Sequence, residues 1–288
     1  MDSALTTVGL PIALGIIMFG LGLSLTVDDF RRVRQHPRAV IVALACQLVL
    51  LPAICFGLVL LLDLPALLGI GMMLLAASPG GTTANLFSHL FHGDVALNVT
   101  LTAVNSIIAI FTLPIITNLA INHFDRQDDV NLPFKEVVEV FVIVLVPVLL
   151  GMLVRSRRPD FAERMEKPVR MGSAIILAVL VLGILLDQLD NISDYFVDAG
   201  LATGLFCAIS LVVGYVVPKA FGIVESQAIA SSMEIGVHNA TLAIFVAVEV
   251  LDSTEISVPA AVYSLFMFAF AAIWGSILSR RINAGATA

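Results

Sequence analysis

The sequence predicts an all-α, polytopic membrane protein whose nine transmembrane helices form an inverted repeat. Composition is the first reason. Of 288 residues, 59% are hydrophobic and 13% are charged, and the mean hydropathy is +1.02, which lies well outside the usage of soluble globular proteins. The second reason is a series of long apolar stretches. The third is that two of these stretches are interrupted by polar residues near their middles.

Nine stretches are long enough to cross a bilayer, because about 20 apolar residues in a helix span its hydrocarbon core. In chain order they cover residues 5–27, 39–62, 66–91, 95–121, 137–154, 171–186, 199–221, 226–248 and 256–278. The first stretch has no basic segment before it and is too long for the apolar region of a cleaved signal peptide. No Arg-rich and Ser-rich transit segment precedes it either. These features favour a multi-pass protein of the bacterial inner (plasma) membrane.

Basic residues gather in alternate loops, as the positive-inside rule requires. Thirteen of the 15 Lys and Arg residues fall on one side of the predicted topology, namely Arg31, Arg32, Arg34, Arg38, Arg155, Arg157, Arg158, Arg164, Lys167, Arg170, Lys219, Arg280 and Arg281. The amino terminus is therefore expected outside and the carboxyl terminus in the cytoplasm. The net charge of −7 reflects the acidic outer loops, so no nucleic-acid partner is expected.

The third span contains a run that an ordinary helix cannot continue, Ser78-Pro79-Gly80-Gly81-Thr82-Thr83-Ala84-Asn85. Proline removes a backbone donor and clashes with the preceding turn, and the two glycines release the backbone. We predict a break in the helix near Pro79 to Gly81, the alternative being a simple kink. Non-helical backbone at membrane depth is tolerated only where it lines a cavity or is buried in protein.

The eighth span carries the run Ser231-Ser232-Met233-Glu234-Ile235-Gly236-Val237-His238-Asn239. Glu234 is a carboxylate deep in an apolar span, which indicates a functional site, and Gly236 lies where a second break is expected. The alternative is a structural carboxylate, kept neutral by protonation or held by hydrogen bonds from Ser231 and Ser232.

Polar residues in two further spans extend this pattern. Asp94 is well placed to cap the fourth span. Asn98, Thr102 and Asn105 follow at i, i+4 and i+7 and therefore share one helix face. Gln47 is an isolated amide in the second span, which either bridges two helices or belongs to a polar site.

The two interrupted spans occupy corresponding places in the two halves of the chain, which is typical of transporters with a central binding site. The breaks fall in the third of the first four spans and in the fourth of the last five. The pattern therefore predicts two inverted repeats of five helices, of which the first repeat lacks its first helix. Within one transporter unit of residues 1–288, the repeats cover residues 1–121, broken at about 78–85, and 134–281, broken at about 232–239.

No Lys or Arg lies within any span to neutralise Glu234, so a mobile cation or a proton is its natural partner. The interrupted segments supply carboxylate, amide, hydroxyl and carbonyl oxygens, which are the ligands of a hard cation. Zinc and copper would lack their usual ligands, because His238 is the only imidazole at this depth.

Four motifs lie along the chain: Gly15 to Leu23 followed by Asp29-Phe30, Gln47 with Pro52, Pro79 to Asn85, and Glu234 to Asn239. In these motifs the chain resembles the bile acid:sodium symporter family. The resemblance implies a core with two crossing broken helices, a flatter panel of the remaining helices, and sodium-driven uptake of organic anions.

The resemblance also implies roles for individual residues. One sodium site would comprise Asn85, Asn98, Thr102 and Glu234. A second would comprise Gln47, Glu234, the carbonyls of Ile235 and Val237, and His238, whereas Thr82, Thr83 and Asn239 would face the substrate. The chain departs from the family at His238, where relatives often have Gln. This difference affects the second sodium site, because an imidazole nitrogen is a poorer sodium ligand than an amide oxygen.

The expected function is therefore sodium-coupled symport of a small organic anion of the bile-acid, hydroxy-acid or keto-acid class, by alternating access. One or two sodium ions would be the coupling ions, without an organic cofactor. One alternative is a proton-coupled anion transporter or a cation/proton antiporter that uses Glu234 and His238. A more remote alternative is an intramembrane enzyme, but the sequence contains no zinc-protease motif or nucleophile elbow. The substrate's identity and the oligomeric state do not follow from the sequence.

Overall fold

The structure is a computed structural model that describes residues 10–81, 83–124, 134–187 and 192–286. Its named elements are all helical. They are α1 (Leu10–Ser24), α2 (Val27–Arg31), α3 (Pro37–Ala45), α4 (Leu51–Leu61), α5 (Ala66–Ala77), α6 (Thr83–Leu90), α7 (Val95–Phe124), α8 (Phe134–Arg157), α9 (Pro159–Asp187), α10 (Ile192–Ala220), α11 (Glu225–Gly236), α12 (Ala240–Phe245) and α13 (Thr254–Ala286). Thr82 and the predicted outer loops at residues 125–133 and 188–191 lie outside the described residues.

Four described helices are long and apolar enough to cross a membrane: Pro37–Leu61, Val95–Phe124, Ala199–Ala220 and Thr254–Arg280. The first of these joins α3 to α4 through a π-helical turn at Cys46–Leu50. Large apolar side chains such as Ile41, Phe111 and Ile273 point outward with more than half of their surface exposed. In water such a surface would be unfavourable, whereas in a bilayer it faces lipid. The fold is therefore that of an all-α, multi-pass integral membrane protein.

Helices α1, α8 and α9 pack against one another and form a group that we call the panel. Glycines permit the close approach of α1 and α8. A methyl group on Gly22 would overlap the backbone of Val148, and one on Gly151 would overlap the carbonyl of Phe19. Small residues at such contacts let backbones approach closely, which is how helices associate in lipid.

Helices α3 to α7 and α10 to α13 form a second group that we call the core. Here α10 packs on α11 and α13, α5 packs on α7 and α13, and α11 packs on α6 and α7. Large side chains fill the interior of this group, among them the fully buried Tyr263, Phe206 and Phe245. The two interrupted helices, α5–α6 and α11–α12, lie at the centre of the core.

Both predicted breaks occur, but each is shorter than the sequence suggested. Helix α5 ends at Ala77 and α6 begins at Thr83, so Thr83 to Asn85 belong to the second half-helix. Helix α11 continues to Gly236, and α12 begins at Ala240. Gly236 is the last residue of the first half-helix. The carbonyls at the end of a helix have no donor within it, so they are available to other groups.

Candidate functional site at the crossing of the two broken helices

The breaks of the two interrupted helices meet and are joined backbone to backbone. The Gly81 N–H donates to the Val237 carbonyl over 2.7 Å, and the Asn239 N–H donates to the Pro79 carbonyl over 2.8 Å. These two bonds form an isolated antiparallel bridge centred on Gly80 and His238. Each break thus donates one bond to the other and accepts one from it.

The bridge changes which backbone groups are available around the break. In a continuous helix the Asn239 N–H would donate to the carbonyl of Ile235, four residues earlier, but here it donates to Pro79. The Ile235 carbonyl thereby loses its helical partner. The side chain of Asn239 caps α12, because its Oδ1 accepts a hydrogen bond from the Leu242 N–H over 3.1 Å.

Glu234 lies at the end of α11 and is 2% exposed. Its Oε2 accepts a hydrogen bond of 2.6 Å from the Thr102 hydroxyl, whereas its Oε1 is buried and accepts no side-chain or backbone hydrogen bond from the residues that the structure describes. The serines that sequence reasoning offered as alternative partners do not contact it. The Ser232 hydroxyl donates to the Leu211 carbonyl, and the Ser231 hydroxyl has no hydrogen-bond partner. Gly80 packs so closely against Glu234 that a methyl group on Gly80 would overlap the carboxylate.

Asn98 and Thr102 lie one turn apart on helix α7, and both are buried. The Asn98 Nδ2 donates to the Ser88 hydroxyl over 2.7 Å and to the Ala230 carbonyl over 2.8 Å. Both donor hydrogens are then used, while the Asn98 Oδ1 is buried and has no donor. The helix begins where expected, since the Asp94 carboxylate accepts a hydrogen bond from the Leu97 N–H over 3.0 Å.

Gln47 and His238 meet on the other side of the crossing. The Gln47 Nε2 donates to the Ser78 carbonyl over 3.1 Å and lies 3.4 Å from the His238 Nε2. The other ring nitrogen of His238, Nδ1, lies 3.0 Å from the Tyr263 hydroxyl. Sequence reasoning did not identify Tyr263, because a tyrosine in an apolar span resembles an ordinary core residue. The Gln47 Oε1 is buried and has no donor.

Buried acceptor atoms without a hydrogen-bond partner in the described residues are frequent among the residues of the expected sodium sites. Of the eight buried side-chain nitrogen and oxygen atoms without a partner in the described residues, four are oxygens of residues in the expected sodium sites: Gln47 Oε1, Asn85 Oδ1, Asn98 Oδ1 and Glu234 Oε1. The other four are Asn105 Nδ2, Thr117 Oγ1, Ser231 Oγ and Ser279 Oγ. Buried polar atoms are nearly always hydrogen-bonded, so an unpaired set of acceptors calls for a physical explanation.

A cavity of about 260 Å³ lies between the panel and the crossing. Side chains of α1, α7 and α8 line most of it, and Pro79 and Asn239 form its wall at the crossing. Almost all of the lining is apolar. Of the three residues expected to face the substrate, Asn239 does line this cavity, Thr83 starts α6 and is half-buried, and Thr82 lies outside the described residues.

Comparison with known proteins places the chain among transporters. Residues 11–195, more than half of the chain, match the Sodium Bile acid symporter family. The chain is 28% identical over 258 residues to the uncharacterized sodium-dependent transporter YocS of Bacillus subtilis, covering 88% of this chain and 78% of that protein. It is 29% identical over 252 residues to the hepatic sodium/bile acid cotransporter of Rattus norvegicus, covering 84% and 67%.

A third relative is the probable sodium/metabolite cotransporter BASS2, chloroplastic, of Oryza sativa subsp. japonica. The identity is 29% over 283 residues, which cover 97% of this chain. The chain spans 64% of the length of that protein. The names of these relatives describe transporters and not enzymes. The chain therefore belongs to the sodium bile acid symporter family.

Proposed function

We propose that this protein is a symporter that couples the movement of sodium to the uptake of a small organic anion. The observation that carries the proposal is the set of four buried oxygens, on Gln47, Asn85, Asn98 and Glu234, that accept no hydrogen bond from the described residues. Leaving such acceptors unpaired in a buried site is costly, and a hard cation with oxygen ligands would satisfy all of them. The names of the relatives, which describe sodium-dependent transport, support sodium as that cation.

We assign the four oxygens to the two sodium sites expected from the sequence. The first comprises Asn85, Asn98, Thr102 and Glu234, and the second lies on the Gln47 side of the same carboxylate. The Ile235 carbonyl, released from its helical partner, supports the second site. The Val237 carbonyl accepts one hydrogen bond from Gly81, which leaves it a second lone pair for an ion.

Charge balance links the ions to the anion. One sodium ion neutralises Glu234, and a second gives the crossing a net positive charge. An anionic substrate next to it restores neutrality, so the loaded site carries little net charge across a region of low dielectric constant. Without sodium, the anion would meet the uncompensated negative charge of the Glu234 carboxylate. Sodium therefore binds first and the anion follows.

The cavity beside the crossing is the proposed place of the substrate, with Asn239 at its polar end; Thr82 and Thr83 stay part of the proposal as substrate contacts expected from the sequence. Its volume of about 260 Å³ is below the ~300–1,000 Å³ of pockets that enclose drug-sized ligands. This size favours the smaller members of the class, hydroxy acids and keto acids, over a bile acid. The apolar lining from α1 and α8 would receive the hydrocarbon part of such an acid.

The boundary between panel and core is the natural surface for alternating access. The ion sites belong wholly to the core, whereas the cavity is shared, since Met18 and Val148 of the panel line it together with Asn239 of the core. Movement of the core against the panel would therefore open the cavity to one side and then to the other, while the ion ligands stay together.

The proposal includes nine membrane spans in two inverted repeats, residues 1–121 and 134–281. The reciprocal bridge between the two breaks supports this symmetry, because each half contributes one donor and one acceptor. The distribution of Lys and Arg supports an amino terminus outside and a carboxyl terminus in the cytoplasm of a bacterial inner membrane.

A panel of small carboxylates tested for thermal stabilisation in sodium chloride and in choline chloride would examine this proposal. A ligand that binds the folded state raises its apparent stability. We expect sodium alone to stabilise the protein, and one class of anion to stabilise it further only when sodium is present. Uptake of that anion into proteoliposomes in choline, driven by a pH gradient, would contradict sodium coupling and favour the proton-coupled alternative.

A further inference from the structure

Tyr263 and His238 form a buried pair behind the crossing, with side chains 0% and 1% exposed. The Tyr263 hydroxyl donates to the Gly236 carbonyl over 2.8 Å. A hydroxyl has a single hydrogen to donate, so toward the His238 Nδ1, 3.0 Å away, it acts as the acceptor. The proton of the neutral imidazole therefore lies on Nδ1.

This assignment fixes the other side of the ring. With its proton on Nδ1, the imidazole presents a lone pair at Nε2, which accepts from the Gln47 Nε2 over 3.4 Å. The second hydrogen of the same amide nitrogen goes to the Ser78 carbonyl over 3.1 Å. Because both neighbours are acceptors, the nitrogen of Gln47 must face them, and its oxygen must face away, where it meets no donor from the described part of the chain.

We infer that Tyr263 is a positioning residue for cation binding, which acts through His238 on Gln47. Tyr263 selects the imidazole tautomer, the imidazole holds the amide nitrogen, and the carbonyl oxygen of Gln47 is thereby directed toward the cation. This inference rests on the proposed sodium sites, and it reassigns His238. The sequence resemblance suggested that His238 is a ligand of the second ion, whereas the structure assigns it a supporting role behind a ligand.

The alternative tautomer would be incompatible with these contacts. A proton on Nε2 would face the amide N–H of Gln47, and rotation of the amide to relieve this would place its oxygen against the Ser78 carbonyl. The rings of Phe206 and Tyr263 pack against the imidazole, with their centroids 5.6 Å and 5.3 Å from its centroid. The orientation of Gln47 thus depends on the hydrogen bonds of Tyr263, a residue that does not itself hydrogen-bond to the Gln47 amide.

Nitrogen NMR of histidine-labelled protein tests the tautomer without altering Tyr263. The chain has five histidines, and comparison with His238→Gln identifies the signals of His238. We expect a protonated Nδ1 and an unprotonated Nε2. A proton on Nε2, alone or together with one on Nδ1, would overturn the inference.

Sodium titrations of Tyr263→Phe test the consequence for the ion. The midpoint of thermal stabilisation by sodium chloride, at constant ionic strength with choline chloride, should rise by about fivefold to tenfold, the effect of a lost hydrogen bond. Tyr215→Phe is the matched control, since it loses a hydrogen bond of 2.6 Å to Glu225 away from the crossing, and its midpoint should equal that of the unmodified protein. Equal midpoints in both variants would overturn the inference.

A double-mutant cycle distinguishes positioning from a general loss of packing. In His238→Gln the relay is absent, so adding Tyr263→Phe should change the sodium midpoint by less than about twofold. An undiminished change would show that Tyr263 does not act through His238. If sodium fails to stabilise even the unmodified protein, the proposed function fails instead, and the NMR result still decides the tautomer.

Discussion

The Thr102 hydroxyl donates a 2.6 Å hydrogen bond to the Glu234 carboxylate across 132 residues of sequence. It joins α7 to the end of α11 and occupies one carboxylate oxygen, Oε2. The other oxygen, Oε1, has no donor among the residues that the structure describes. A carboxylate held in this way has one oxygen fixed by the protein and one available to an ion, which is the arrangement that the proposed sodium site requires.

Thr102→Val should weaken sodium binding while leaving the protein folded. The substitution keeps the shape of the side chain but removes the donor to Glu234, and leaving a buried charged group without its donor costs ~1–3 kcal/mol. We expect the sodium midpoint of anion uptake to rise by about tenfold.

Thr100→Val provides the control for this change on the same helix. Its hydroxyl donates to the Ala96 carbonyl over 2.8 Å, one turn earlier on α7, and does not contact the crossing. Its sodium midpoint should be unchanged. Equal shifts in the two variants would show that helix α7, and not the bond to Glu234, determines the effect.

Glu234→Gln should abolish sodium-dependent uptake. A unit charge at about 4 Å from an ion is worth several kcal/mol even at an intermediate dielectric constant, so sodium binding should weaken by on the order of a hundredfold or more. The measurement is initial uptake into proteoliposomes as a function of sodium concentration. Glu163→Gln is the control, because that side chain is 65% exposed and lies near Arg155 on the protein surface. Uptake by Glu234→Gln with the normal sodium dependence would exclude the proposed ion site.

Gly80→Ala should damage both stability and ion binding. Its methyl group would overlap the Glu234 carboxylate, and overpacking of a buried site costs ~1–3 kcal/mol. The melting temperature should fall, and stabilisation by sodium should be lost. Gly57→Ala in α4 has no heavy atom within 4 Å of the new methyl group, so its melting temperature should be unchanged or higher. A Gly80→Ala protein with normal sodium stabilisation would contradict the close packing described at the crossing.

Gly151→Ala should destabilise the panel without altering the ion sites. The added methyl group would meet the backbone of Phe19 and Gly22 in α1, which separates two helices that depend on close contact. We expect a lower melting temperature but an unchanged sodium midpoint in the folded fraction. Gly15→Ala, whose new methyl group would touch only the Pro147 ring at 4.0 Å, should resemble the unmodified protein. An altered sodium midpoint in Gly151→Ala would show that the ion sites extend into the panel.

Local chemistry explains which parts of this site could be predicted from the sequence. The break at Pro79 could be predicted because proline and glycine disrupt a helix wherever they occur. The alignment of Asn98 with Thr102 followed from helical spacing. The exact ends of the half-helices could not be predicted, since Thr83 to Asn85 have no feature that marks the start of α6. They depend on the bridge to the other break, which is a tertiary contact.

Tyr263 has a role that could not be predicted from the sequence. It lies 25 residues after His238, in a span whose composition is that of any membrane helix, and no spacing connects the two residues. Its role depends on a chain of hydrogen bonds through Gly236, His238 and Gln47. Such a chain is visible only when the helices are packed together, because each bond determines the donor or acceptor role of the next.

The bridge between the two breaks uses main-chain atoms alone. Its donors are the amides of Gly81 and Asn239, and its acceptors are the carbonyls of Pro79 and Val237. Any residue except proline can supply such a donor, and every residue can supply such an acceptor. The hydrogen bonds that hold the crossing together therefore do not depend on the identity of the side chains in the proposed ion sites. A substitution of such a side chain, at position 238 for example, can leave the two helices meeting at the same point.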